Sequence, residues 1–330
     1  MTVRLVVNDV GHSHRQGRLC RLKTLDRLGL GLAALGRPAY LNLGREQALP
    51  ARRDPDAMRA ASWEVLDEAY AAGIRWVDAA RSYGRAEEFL AGWLDARGHR
   101  DVTVSSKWGY TYVADWCAEA EVHEIKEHSP AMFRRQWAET RQHLDDRVAL
   151  YQVHSLTLDS PLLHDHALLA ELARLTDVGV RAGFSTSGPA QAEVVRRAAA
   201  IEVGGRRLFD AVQSTWNVLE PSAGPALAEA HAAGLRVLVK EALANGRLAM
   251  HPPEPMARLA RRHRVEADAV ALAAVLAQPW ADVVLSGASG VGQLRSNLAA
   301  DGLHVDVAEF AECAERTGQY WATRAGLTWN

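Results

Sequence analysis

The sequence predicts an α/β fold closed as a single (β/α)8 TIM barrel, on three observations. Eight apolar runs of strand length punctuate the 330 residues, helical patterns separate them, and no Pro/Ser/Gly-rich linker divides the chain. Strands covered on their outer side read as continuous apolar runs, and an eightfold alternation favours closure over an open doubly wound sheet. The domain is expected to span residues 1–330, with an N-terminal extension of about 1–26 and a C-terminal tail of about 302–330.

The elements follow in order. "RLGLGLAAL" (27–35) is the first strand. In "DPDAMRAASWEVLDEAYAAG" Asp54 is placed as N-cap and Pro55 as the first helical residue, with Met58, Ala61, Val65, Leu66 and Ala69 on the apolar face and Gly73 as the stop. "AAGIRWVDAA", "DVGVRAGFST" and "AAGLRVLVKE" repeat one design. Each sets a glycine (Gly73, Gly179, Gly234) after a helical run, where a left-handed residue closes the helix, and then a short strand. "DVTVSSK" (101–107), "RVALYQVH" (147–154), "DAVQSTW" (210–216) and "ADVVLSGAS" (281–289) supply the remaining strands. "SPAMFRRQWAETRQHL" repeats the Ser-Pro helix opening, with Phe133, Trp137 and Leu144 on one face.

Composition narrows the partners. With 38 basic and 40 acidic side chains the formal charge is -2, which gives no basic surplus for nucleic acid or an anionic membrane. Small-molecule ligands fit better. The three cysteines, Cys20, Cys117 and Cys313, lack disulfide or zinc spacing, and no apolar stretch reaches the length of a signal peptide or membrane span, so a soluble cytoplasmic protein is expected.

Three motifs are set aside. "GLGLAA" matches a dinucleotide fingerprint but leads into a Pro38-containing stretch without helical periodicity, so tight packing of a first strand explains it better than an open-sheet dehydrogenase. "HEIKEH" spaces His123 and His128 five apart, and His12/His14 and His164/His166 are no better placed for a helical metal site. No metal is expected, and His123 and His128 are read as solvent-facing loop residues. "GFSTSG" is not a nucleophile elbow.

In such a barrel, polar residues at the carboxyl ends of strands mark the active site. Asp78 ends the second strand, Tyr83 follows in its loop, Lys107 ends the third and His154 the fourth. Brought together, a lysine favours the phenolate of the tyrosine and an aspartate neutralises the lysine. The tyrosine pKa is expected to fall roughly two to three units from its usual value of about 10, and a nearby histidine can orient a carbonyl oxygen. Arg81 and Arg85 are left as rim charges.

At these residues, from about Leu28 to Ala300, the sequence resembles the aldo-keto reductases, (β/α)8 barrels that use nicotinamide cofactors. The resemblance implies that Asp78, Tyr83, Lys107 and His154 are the catalytic tetrad, with Tyr83 the general acid/base. It implies cofactor contacts from Ser185 and Gln213 to the carboxamide, Trp216 stacked on the nicotinamide, Leu243 and Gly246 at the pyrophosphate, and Gly287, Ser289, Gln293 and Asn297 at the adenosine half. The implied reaction is hydride transfer between NAD(P)(H) and an aldehyde, ketone or sugar. Thr186 and Glu241 depart from the family pattern. No cation stands at Ser289 or Gln293 to meet a 2'-phosphate, yet the Gly-Ala-Ser loop is similar to those of NADP(H) users, and NADP(H) is expected ahead of NAD(H). The long stretch after Lys107 offers Trp108, Tyr110, Tyr112 and Trp116 either as a wall of the substrate pocket or as packing on the barrel rim. A rival reading keeps barrel and cofactor but makes the protein a redox-sensing regulatory subunit with little turnover.

Overall fold

The computed structural model describes residues 24–329; His12, His14 and Cys20 lie outside them. Eight parallel strands run in chain order around a closed barrel: β1 (Leu28–Gly31), β2 (Trp76–Asp78), β3 (Thr103–Trp108), β4 (Val148–Leu156), β5 (Arg181–Thr186), β6 (Ala211–Thr215), β7 (Arg236–Lys240) and β8 (Val283–Ser286), which pairs with β1. All eight runs expected from the sequence are strands, and the TIM barrel is the observed fold.

The helices of the outer layer begin where their caps place them. In α1 (Pro55–Ala71) the Asp54 carboxylate accepts from Ala57 N at 3.0 Å, and in α3 (Pro130–Leu144) the Ser129 hydroxyl accepts from Met132 N at 3.1 Å. Gly73, Gly179 and Gly234 adopt φ of +100°, +77° and +87°, the left-handed turn that redirects chain into β2, β5 and β7. The buried face of α1 carries Met58, Ser62, Val65, Leu66 and Ala69; Ser62 takes the place expected for Ala61 because its hydroxyl donates to Leu35 O in the loop beneath. Trp137 of α3 is only partly buried, and Met132, Gln136 and Thr140 complete that face. The remaining helices of eight or more residues are α2 (Ala86–Arg97), α4 (His166–Ala173), α5 (Gln191–Ala199), α6 (Gly224–Ala232), α7 (Glu254–His263), α8 (Ala267–Leu276), α9 (Val291–Leu298) and α10 (Thr317–Ala325), and a single helical turn, Arg247–Met250, follows β7.

Three apolar clusters hold the described residues. The largest lies between barrel and helices, a second packs Leu248, Met256 and Val270 against Phe310, Tyr320 and Trp321 of the tail, and a small plug of Trp76, Leu150, Ala211, Leu238, Val283 and Leu285 fills the barrel interior. Strand side chains alternate with a period of two, so the residues two further along these strands face the same interior one layer higher. They are Asp78, Gln152, Gln213, Lys240 and Gly287, and there the interior turns from apolar to polar. Gly29 belongs to the plug layer, where a Cβ would come within 2.9 Å of the Leu285 side chain. That close packing accounts for the first glycine of "GLGLAA", and no helix follows β1 until Pro55.

The stretch after Lys107 folds as a hairpin, Tyr110–Tyr112 against Glu124–Lys126. It buries both histidines that were expected to face solvent: His123 stacks on Trp329 with centroids 4.1 Å apart, and His128 Nε2 donates to His154 O at 2.9 Å while its Nδ1 lies 2.7 Å from Ser160 Oγ. The spacing argument against a shared metal left open what else would bury them, and the aromatic tail and the end of β4 do so. Among the described residues no helix is long and apolar enough to cross a membrane.

Candidate active site

A cavity of about 230 Å³ opens at the carboxyl ends of the strands. Asp78, Tyr83 and His154 line it, and Lys107 lies beneath them with no exposed side-chain surface. Lys107 Nζ is ion-paired with Asp78, donates to Ala79 O at 3.0 Å, and stands 3.2 Å from the Tyr83 hydroxyl. Asp78 Oδ1 accepts from Ser105 Oγ at 2.7 Å, Gln213 Nε2 at 3.1 Å and Gln152 Nε2 at 3.2 Å. A buried carboxylate with one cation and three neutral donors is fully satisfied. The His154 ring stands edge-on to Tyr83, centroids 5.6 Å apart, with Nδ1 3.4 Å from Ser82 Oγ.

The end of β4 is bent to present His154. The β4–β5 register shifts between Val153 and Leu156, and Ser155 takes a left-handed φ of +53°, held by its N–H donating to Ser185 Oγ at 2.8 Å. Bulges of this kind re-aim a side chain at a site. Ser185 is thereby used within the protein.

The electrostatics differ from expectation on one point. Burial pushes the Tyr83 phenol well above its usual range, the Asp78 carboxylate pushes it the same way, and the Arg37 guanidinium works against both. Burial and the neighbouring carboxylates outweigh Arg37, so the phenol of the protein by itself is raised where a lowering was expected. Burial, together with Lys107, Lys240 and Arg37, pushes His154 well below the usual histidine range, which makes it a neutral hydrogen-bonding group at pH 7. At the end of β7, burial opposes ionisation of Glu241, yet Arg324 and Lys240 outweigh it and hold the carboxyl at about 2. Burial brings Lys240 down to about 8.

The other expected residues fall into two groups. Gln213, Tyr110, Leu243, Gly246 and Gly287 line the cavity. Trp108 does not: it is buried in the outer layer, 5.1 Å from Phe133 between ring centroids. Trp116 packs on Phe89 and donates to Arg53 O at 2.6 Å, and Trp216 packs edge-on against Trp280, so neither forms cavity wall. Trp216 thus lies outside the residues that line the cavity. Ser289 and Gln293 bond to each other, Gln293 Nε2 donates to Gly44 O at 3.1 Å, and Asn297 is buried between Ser286 and Asp268.

Further residues join the wall. Arg37 and Tyr40 come from the loop after β1, Glu124 from the hairpin, Lys240 from β7 and Glu241 just after it, and Arg324 and Trp329 from the tail. Arg81, expected at the rim, instead braces the helix layer through Glu87 at 2.8 Å and Glu139 at 2.9 Å.

The fit to a nicotinamide cofactor is uneven. Gly31 and Gly287 line the cavity beside Gln213, and space around the Gly287 Cα is open, which suits a flat ring at the barrel mouth. Toward β8, residues 41–49 lie against the β7 and β8 loops: Leu43 N donates to Asn245 O at 2.9 Å, Asn245 Nδ2 donates to Leu41 O at 3.0 Å, and Ala48 O abuts Gly290.

The sequence model of the aldo/keto reductase family matches residues 27–316. The chain belongs to the aldo/keto reductase family. Its members are oxidoreductases that generally use NAD(P)H on small molecules. Solved structures agree on the fold. The aldo-keto reductase AKR11C1 from Bacillus halodurans in its holo form is 20% identical with a TM-score of 0.62, covering 90% of this chain and 91% of that one. The glycerol dehydrogenase AKR11B4 from Gluconobacter oxydans is 20% identical with a TM-score of 0.64, covering 90% and 92%. PA4992 from Pseudomonas aeruginosa is 24% identical with a TM-score of 0.60, covering 87% and 90%. No curated protein matches the chain. As an aldo/keto reductase it carries a tyrosine, a lysine, an aspartate and a histidine gathered at the barrel mouth, which is where the fold puts its chemistry.

Proposed function

We propose that this aldo/keto reductase interconverts a carbonyl compound, an aldehyde, ketone or sugar, and its alcohol with NAD(P)(H), and that Tyr83 is the general acid/base. One observation carries the reading: the Tyr83 hydroxyl lies 3.2 Å from Lys107 Nζ inside a cavity that His154 also lines. Gln213, Gly287, Leu243 and Gly246 would hold the nicotinamide cofactor at the cavity, where it would supply or accept the hydride.

In reduction Tyr83 gives its proton to the carbonyl oxygen, and in oxidation it takes that proton from the alcohol. Lys107 stabilises the phenolate that forms, and the Asp78 pair keeps the lysine's charge tolerable in a dry site. Neutral His154 donates a hydrogen bond to the same oxygen and fixes its direction. NADP(H) is proposed ahead of NAD(H), on the likeness of the β8 loop alone.

The test follows reduced-cofactor absorbance with NADPH and NADH over a carbonyl and sugar panel, for the wild type and Tyr83→Phe. Turnover is expected to fall by about 10²- to 10⁴-fold in the variant while cofactor affinity stays within a few-fold. Near-normal turnover would sink the mechanism. Bound cofactor without turnover on any substrate would favour a sensing role.

A further inference from the structure

The catalytic roles leave one buried cation beside Tyr83 without a function. Arg37 has a side chain only 1% exposed, and burying a guanidinium is unfavourable unless partners compensate. Its Nη1 donates to Glu124 Oε1 at 2.7 Å and to Ser82 O at 2.9 Å, and its Nε to Ala33 O at 3.2 Å. Its Cζ lies 4.6 Å from the ring centre of Tyr40, 4.7 Å from Trp329 and 5.1 Å from Tyr83. Ser82 directly precedes Tyr83, so the bond to its carbonyl holds the backbone that carries the phenol. Glu124 and Trp329 line the cavity. The acid, the hairpin wall and the tail therefore meet at one guanidinium.

We propose that Arg37 and Glu124 form a second ion pair acting on Tyr83, beside that of Lys107 and Asp78, with Arg37 as a positioning residue and Glu124 as its counter-charge. The inference rests on Tyr83 being the acid/base. The charged and titratable groups around the phenol are Asp78 from β2, Lys107 from β3, His154 from β4, Lys240 from β7 and Glu241 just after it, Arg37 and Tyr40 from the loop after β1, Tyr110 and Glu124 from the hairpin and Arg324 from α10. Among them Arg37 favours the phenolate and Glu124 opposes it. Opposite signs give a signature that scaffolding lacks. Deleting each partner moves the proton affinity of Tyr83 in opposite directions, whereas loss of a tie between segments weakens the site in one sense for both.

The experiment compares Arg37→Met, Arg37→Lys and Glu124→Gln with the wild type, as full-length chains. It measures kcat/KM against pH for reduction of 4-nitrobenzaldehyde and glyceraldehyde, with Tyr83→Phe as control and cofactor affinity from tryptophan quenching. Arg37→Met is expected to move the alkaline limb upward by about one pH unit, because a cation that held the phenolate is gone. Glu124→Gln is expected to move it downward, and Arg37→Lys to restore it. Shifts of one sign in both variants would overturn the pair, as would a limb unmoved in both. A limb that survives in Tyr83→Phe would overturn the catalytic reading as well, which separates the two failures. Should Arg37→Met fail to fold, Glu124→Gln alone decides: a downward shift supports the pair and no shift overturns it.

Discussion

The two ends of the cleft are held together by different means. At the β2–β4 end, Asp78, Lys107, Gln152 and His154 stand on barrel strands, and Ser105, Gln152 and Gln213 saturate the carboxylate beside the lysine. At the β7–β8 end the residues stand on loops. Glu241, Ala244, Asn245 and Gly246 take left-handed φ of +56°, +49°, +55° and +86°, and residues 41–49 are tied across them by a few hydrogen bonds. Three of those residues are not glycine, and such backbone costs about 1 kcal/mol or more each. The polar cluster around Asp78 is mounted on the sheet, whereas the β7–β8 end is built from loop backbone.

The most severe break is Lys107→Met. It leaves the Asp78 carboxylate buried, 2% exposed, with neutral donors only. Removing one partner of a buried pair costs about 3–5 kcal/mol, and urea unfolding is expected to show a loss of that size together with loss of turnover. A stability change below about 1 kcal/mol would mean that the strand end is far less rigid than its bonding implies.

Acid gives the next largest effect, through His128. Burial lowers its pKa from 6.5 to about 4, with Lys126 adding to the lowering. The unfolded chain binds a proton near pH 6.5 that the folded chain refuses, so stability is present above pH 6.5 and is lost as pH falls toward 4. The loss is about 2 kcal/mol at pH 5. His154, also held neutral by burial, adds in the same direction. Urea unfolding at pH 7 and pH 5 measures it, and His128→Asn should show a shallower pH dependence than the wild type. Because His128 bonds to the His154 carbonyl, the strand-built end is the one that acid loosens.

The same division decided what the sequence could disclose. Strand ends are local signals, so the eight strands and the positions of Asp78, Lys107 and His154 were readable from apolar runs that stop at a polar residue. The period of two held more than was taken from it. Counting back two from Lys107 and His154 reaches Ser105 and Gln152, which bond to Asp78. Counting one forward from Lys107 reaches Trp108, on the opposite face, and the parity that points Gln213 inward turns Trp216 outward. Arg37, Glu124 and Arg324 carried no such signal, and Trp329 stood in a tail whose path the sequence left open. They arrive from a loop, a hairpin and a tail, and only the closed fold brings those segments to one point.

The smallest effect expected is the most direct test of the looser end. Gly44 lies within residues 41–49 at φ +78°, where a side chain is strained, and a Cβ there would stand 3.1 Å from Met250 Sδ. It accepts from Gln293 through its carbonyl and does not line the cavity. Gly44→Ala therefore weakens the arrangement of residues 41–49 by about 1 kcal/mol without altering a cavity side chain. If the groove toward β8 must open before a dinucleotide enters, the competent fraction rises by about fivefold, and the association rate with it. Stopped-flow quenching of tryptophan fluorescence by NADPH reads that rate, and Tyr83→Phe serves as a control whose rate is expected to stay put. An association rate unchanged in Gly44→Ala would show that residues 41–49 are no barrier to the cofactor, and the contrast between the two ends would then lie only in how their residues are mounted.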